Sequence, residues 1–285
     1  MFIDRVDNSG DGDDMTNPNM EDNSNTEIDT DGDNKVVDNV IGVWWWNDEL
    51  DEEEYLSFAS ANNVNEIYFC SCDFGADTSN FISRANKLGI EVYWLQGEYE
   101  WLDDSISLME KIEDYRQYQE DYPDSKFSGI HLDIEPHQSP DFDARRESLI
   151  LKLIKLADLL KQTYKEISFD FDIPFWIDDN ITYGGSTRSA YQHMIDIADR
   201  VFVMSYRDTA DAIIDVGGDE LSYAKEVGKK IIFSVECSSS EGDKVSFAEE
   251  GRCAMMAELE ILKQKLGDDF RISIHNIKSW HDMKE

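Results

Sequence analysis

Phe127-Ser-Gly-Ile-His-Leu-Asp-Ile-Glu135 alternates apolar and polar residues from Ile130 to its end. Side chains alternate faces along a strand, so Ile130, Leu132 and Ile134 share one face and His131, Asp133 and Glu135 share the other. The apolar face has to pack against helices. The polar face carries two acids and a histidine, which a buried strand needs a reason to hold. In an α/β barrel that reason is an active site at the C-terminal ends of the strands.

The rest of the chain supplies the frame this strand requires. From Val40 onward, short apolar runs alternate with helical patterns, the signature of repeated βα units around a parallel sheet. Strands are predicted over 40–46, 65–72, 90–96, 128–135, 167–173, 200–205, 230–236 and 270–276. Leu149, Leu153, Leu156 and Leu160 fall on one face of the helix after the fourth strand. Gly89, Gly228 and Gly267 sit just past helices, where a left-handed cap is wanted. Eight such units over residues 39–285 predict a single (β/α)8 TIM barrel of the α/β class, with 278–285 left for a short final helix. Residues 1–38 are rich in Asp, Asn, Ser and Thr and too poor in apolar residues to offset ordering, so a disordered acidic leader is expected. Two of its pieces tempt a calcium-loop reading. Asp7-Asn-Ser-Gly-Asp-Gly12 leads to Pro18 where a bidentate Glu belongs, and Asp29-Thr-Asp-Gly-Asp33 misplaces its glycine; both are read as solvated linker.

The formal charge of −36 over 285 residues disfavours nucleic acid and anionic membranes as partners, because both would be repelled. Twelve acids and two bases in residues 1–40 leave the remainder of the chain strongly acidic as well. No apolar stretch is long enough to insert in a membrane. Cys70, Cys72, Cys237 and Cys253 space neither as a disulfide framework nor as a zinc site, and are read as thiols packed mostly in the interior. Met1-Phe-Ile-Asp-Arg5 lacks the apolar core of a signal peptide. The Asn/Asp-rich leader suits an extracellular or cell-surface protein whose signal is absent from this chain, and a monomer is expected.

The predicted strand ends carry Trp45 and Trp46, Asp73, Gln96 and Glu98, Asp133 and Glu135, Asp172 and Trp176, Tyr206 and Asp208, Glu236, and His275. Acids and aromatics suit a carbohydrate ligand, whose ring faces stack on aromatic rings while its hydroxyls bond to carboxylates and amides. They suit phosphates badly, for no glycine-rich loop or arginine cluster accompanies them. Trp44, Trp45 and Trp46 must alternate faces, leaving at least one for the core. His137 is placed at the edge of the cleft, Met204 in barrel packing, and His193 and His281 on the surface.

These strand ends resemble the chitinase-type (family eighteen) glycoside hydrolases. That family's fourth strand carries Asp-Gly-x-Asp-x-Asp-x-Glu, where this chain reads Ser128-Gly-Ile-His131-Leu-Asp133-Ile-Glu135. Its Met-x-Tyr-Asp motif is matched by Met204-Ser-Tyr206-Arg207-Asp208, with one residue inserted before the acid. The resemblance implies substrate-assisted hydrolysis of a β-linked, N-acetylhexosamine-containing glycan without a cofactor. Glu135 would be the general acid, and Asp133 and Tyr206 would hold the substrate's acetamido group as nucleophile. His131, Asp172 and the aromatic and acidic strand-end residues would line the substrate site. Two carboxylates on one strand face lie within roughly 7 Å, so one of them should have a raised pKa.

Two other schemes fit the same residues. Retaining barrel glycosidases pair an acid/base at strand four with a nucleophile at strand seven, as Glu135-Pro136 and Glu236 would at a separation of about 5.5 Å. However, the Asn that usually precedes the acid/base is Ile134 here. A non-catalytic, lectin-like barrel would keep the cleft without the chemistry. One of Asp170 and Asp172 is expected to bond His131 or Tyr206. His131, Asp133, Glu135, Asp172, Glu236 and His275 could in principle converge on a metal, but their spacing matches no known metal site and none is expected.

Overall fold

The computed structural model describes residues 39–46, 50–71, 73–239 and 242–285. The acidic leader, both calcium-loop-like stretches and Cys72 lie outside them. Eight parallel strands close a barrel in the order β1 (Ile41–Trp45), β10 (Ile272–His275), β9 (Ile231–Glu236), β8 (Arg200–Met204), β5 (Phe169–Pro174), β4 (Ile130–Leu132), β3 (Glu91–Gln96) and β2 (Glu66–Phe69). All eight fall inside or within one residue of the predicted stretches. Helices α1 (Glu52–Ala61), α2 (Ala76–Lys87), α3 (Ile106–Asp121), α4 (Phe142–Thr163), α5 (Ala190–Ile197), α6 (Ala210–Val216), α7 (Gly218–Glu226), α8 (Arg252–Leu266) and α9 (Ile277–Asp282) follow in chain order. No helix among the described residues is long and apolar enough to cross a membrane.

The alternation on the fourth strand sorts as its chemistry demands. Ile130, Leu132 and Ile134 join the outer core between barrel and helices, where Leu149, Leu153, Leu156 and Leu160 of α4 are also buried. His131 points into the barrel. Its neighbours there, Trp44, Tyr68 and Phe202, form a separate inner cluster with Tyr93, Leu95 and Ile232. The barrel is therefore filled with side chains, as a barrel of eight strands should be. Gly89 and Gly228 adopt φ of 76° and 70° past their helices, the left-handed conformation that a residue without Cβ takes cheaply.

Beneath the aromatic layer lies a buried ion cluster. Arg200 donates to both oxygens of Asp170 at 3.0 and 2.6 Å and reaches Glu66 at 2.7 Å. Tyr68 donates to the same Glu66 at 2.8 Å, and the guanidinium lies 4.5 Å from the centre of the Tyr93 ring. Burial alone would discharge the arginine, but Asp170 and Glu66 hold its pKa well above the usual value.

The structure adds a hairpin that the sequence reading lacked. β6 (Asn180–Tyr183) and β7 (Ser186–Ser189) pair antiparallel between β5 and α5, turning on Gly184 and Gly185. This hairpin overturns the surface placement of His193, which is buried with Nε2 3.0 Å from the Ile181 carbonyl oxygen. His281 is half-buried against Tyr55 and Phe58. Of the cysteines, Cys70, Cys237 and Cys253 form no disulfide, and Cys253 departs from the interior reading by lying exposed on α8.

Candidate active site

At the C-terminal ends of the strands lies a cleft of about 650 Å³. Trp46, Asp133, Glu135, Trp176, Tyr206, Glu236 and His275, all named from the sequence, line it together with His137 and Met204. Two predicted residues lie one layer deeper. His131 and Asp172 are both buried, with Nε2 and Oδ2 2.5 Å apart, so the strand-five partner of His131 is Asp172. Asp170 belongs to the ion cluster below.

Five expected lining residues lie elsewhere. Trp45 faces outward and packs its ring against Tyr55, Phe69 and Phe81 in the outer core. Gln96 shares the outward parity of Trp94 and is turned to the Ser71 carbonyl at 3.2 Å. Asp73 is exposed in a separate depression with Ser71 and Thr78. Glu98 is exposed, 4.0 Å from Lys111. Asp208 is half-buried outside the cleft lining, and Arg207 takes its place there. Arg207, Gln138 and Phe175 were not expected in the cleft. The inserted position in Met204-Ser-Tyr-Arg-Asp208 was the available signal for Arg207.

Gly97 explains how strands three and four come so close here. A Cβ on it would lie 2.1 Å from the Asp133 carbonyl oxygen, so only glycine lets the Asp133 backbone sit against strand three. The Asp133 N–H donates to the Gln96 carbonyl at 2.9 Å, extending the ladder past β4. Glu135 is then carried to the cleft, where Gln138 donates to its Oε2 and His137 Nε2 stands 3.6 Å from the same atom. Trp176 is propped by Arg146, whose guanidinium lies 4.9 Å from the ring centre and is held bidentate by Asp179.

The expected rise in a carboxyl pKa falls on Asp133. Burial is the main cause, with the charges of Asp172 and Glu135 adding to it, and Asp172 is raised well above its usual value by burial and Glu135. Tyr206 is pushed well above the ordinary phenol range by burial and by Asp133 and Glu236, so its hydroxyl remains a donor. Asp133 Oδ1 is buried without a hydrogen-bond partner.

Glu236 and His275 form a second unit. Oε1 of Glu236 accepts the backbone N–H groups of Cys237 and Ser238 at 2.7 and 2.5 Å, and Oε2 lies 2.7 Å from His275 Nδ1. Burial lowers the proton affinity of His275, but Glu236 overcomes it and the pKa ends above the usual value. Trp46 pulls the other way. Its indole N–H donates to His275 Nε2 at 2.9 Å, which requires a lone pair on that nitrogen and places the ring proton on Nδ1. A second proton on Nε2 would break that bond.

His131 is neutral by desolvation, its pKa lowered to about 3. The unfolded chain therefore takes up this proton first as pH falls. Stability tied to His131 is complete above about pH 6.5 and drains by about 1.4 kcal/mol per pH unit on the way down. Asp133 and Asp172 act oppositely: their contribution is present below about pH 4 and lost as pH rises through their raised folded values. The expected ¹⁵N signals of the His131 ring are those of a neutral imidazole down to about pH 5. A ring that titrates near its ordinary value would contradict the burial of His131 in the inner layer.

Among the described residues, no group of three or more His, Cys, Asp or Glu side chains is arranged to hold a metal ion. No family model matches the chain, and no curated protein matches it. Solved structures do. The C-terminal domain of a protein described as a putative chitinase, from Desulfitobacterium hafniense DCB-2, gives a TM-score of 0.47 at 12% identity, over 70% of this chain and 66% of that one. A chitinase from Bacteroides thetaiotaomicron superposes with a TM-score of 0.56 at 14% identity, over 85% of this chain and 90% of its own. A family-eighteen chitinase from Cycas revoluta, solved as a double mutant with (GlcNAc)4, gives 0.52 at 11% identity, over 84% and 95%. With its closed parallel barrel and the last two superpositions, the chain has the fold of the chitinase-type glycoside hydrolases.

Proposed function

We propose that this protein hydrolyses a β-linked glycan containing N-acetylhexosamine, with the substrate's own acetamido oxygen as the nucleophile. The observation that carries the reading is the pairing of Glu135 with Asp133 in an aromatic-walled cleft, where Asp133 keeps a buried, unbonded Oδ1. Asp133 Oδ1 can accept the N–H of an acetamide, and Tyr206 supplies an O–H donor for the C=O, which a trans amide points the opposite way. Glu135 gives its proton to the glycosidic oxygen as the acetamido oxygen closes on the anomeric carbon, and then takes a proton from the water that opens the cyclic intermediate. Positive charge grows on the acetamido nitrogen in that step, so its bond to Asp133 strengthens as the transition state is approached.

Glu236 fits less well as the alternative nucleophile, because two backbone donors on Oε1 and His275 on Oε2 take three of its four acceptor sites. An attacking carboxylate needs a free lone pair aimed at carbon. Two tests separate the schemes. Fully N-acetylated hexosamine oligomers should be cleaved and their de-N-acetylated counterparts not, since the latter lack the nucleophile; equal cleavage of both would defeat substrate assistance. Glu236→Gln should lower turnover by only about 10-fold through a loosened His275, and the parent should show no glycosyl-enzyme by mass spectrometry under fluoroglycoside challenge. A covalent adduct trapped on Glu236 in the parent would reverse the assignment. Sugar binding without turnover of any oligomer would leave a lectin-like barrel.

A further inference from the structure

We propose that Arg207 selects glycans bearing a carboxylate on a sugar ring, an inference that rests on the glycosidase reading and narrows its substrate class. Arg207 stands where the chitinase-type motif has an acid, and it reverses the charge at that point of the cleft wall. It is the only lysine or arginine among the lining residues described, beside three acids, Asp133, Glu135 and Glu236.

Its bonding is what singles it out. In a chain with 62 acids to 26 bases, an arginine easily finds a carboxylate. Arg84, Arg145, Arg146, Arg188, Arg200 and Arg252 each have one within 3.0 Å. Arg207 has no ion pair among the described residues. Nη1 donates to the Tyr206 carbonyl at 2.6 Å, and the guanidinium lies 4.7 Å from the centre of the Phe175 ring. Those two contacts hold the head group while using one of its five N–H donors. The remaining fork matches a carboxylate, which arginine binds bidentately.

The charge balance also limits the ligand. At long range the −36 chain repels anions, while a single guanidinium acts only at contact. A sparsely carboxylated chain, with one acid group per recognised repeat, satisfies both; a dense polyanion does not. The carboxylate could belong to a uronic acid or to a lactyl ether on an N-acetylhexosamine, and the chemistry at Arg207 is the same.

The test uses four chains: an N-acetylhexosamine oligomer carrying lactyl carboxylates, one alternating with uronic acid, and each of these with its carboxyl groups reduced to alcohols. For the parent, kcat/KM should favour at least one acid chain over its reduced form by about 10- to 100-fold, the worth of a charge-assisted bond. Which pair shows the ratio identifies the source of the carboxylate. In Arg207→Gln the ratio should fall to near one, whatever happens to the common rate, and Arg207→Lys should recover part of it. Equal rates on acid and reduced chains, or a ratio that survives Arg207→Gln, overturns the inference while leaving the glycosidase reading intact. If no chain is cleaved, calorimetry on the same four reads the same ratio in Kd. Binding with the acid preference then upholds Arg207 although hydrolysis has failed, and no preference removes both.

Discussion

Glu135→Gln should lower kcat on unactivated N-acetylhexosamine oligomers by about 10²- to 10⁴-fold, the contribution of a positioned general acid. The amide keeps the shape of the side chain, so KM and calorimetric Kd should change by no more than a few-fold. The loss should depend on the leaving group. An aryl glycoside with an acidic phenol departs without needing a proton, so the variant should recover much of its activity on such a substrate. This slope separates a proton donor from a residue that only shapes the cleft, whose removal would slow both substrates alike. Turnover within about threefold of the parent on the natural linkage would exclude Glu135 as the acid.

Arg200→Leu should be the most damaging single change to stability. It leaves Glu66 and Asp170 buried beneath the aromatic layer without their cation, and breaking a buried pair from one side costs about 3–5 kcal/mol. For a domain of this size that corresponds to a Tm lowered by roughly 10 °C. The charge left behind, not the lost contact, causes most of the loss. The triple change Arg200→Leu, Glu66→Gln, Asp170→Asn should therefore regain a large part of it in thermal unfolding. A triple variant no more stable than Arg200→Leu would assign the effect to packing on Tyr93 and Phe202 instead.

The difference between what could and could not be read from the sequence follows the range of the interactions. The fourth strand announced both its faces because alternation is a local property, and His131, Asp133 and Glu135 fall where it requires. The parity of Trp45 and Gln96 could not be taken from that strand. Each strand's inward set is fixed by register with its neighbours, and only Trp44 beside Tyr68 and Tyr93 beside Arg200 reveal it. The cluster of Glu66, Asp170 and Arg200 joins three strands far apart in the chain, with no spacing to mark it. The hairpin was missed although its signal is local: Ile181-Thr-Tyr-Gly184-Gly185-Ser-Thr is a Gly-Gly two-residue turn between strand formers. Its burial of His193 was not legible, since a helix periodicity cannot say what will be laid across it.

The bond from the Trp46 indole to His275 joins the residue after β1 to the end of β10, the first and last strands of the barrel. These two strands pair with each other, and across that seam the cleft acquires His275, which in turn orients on Glu236 of β9. During synthesis on the ribosome the N-terminal strands emerge long before the last one exists. The Trp46 indole is then left to bond water until a partner more than two hundred residues downstream is made. The wall of the cleft formed by Trp46, His275 and Glu236 needs β1, β9 and β10 together, so a chain still lacking its last strand has no finished site.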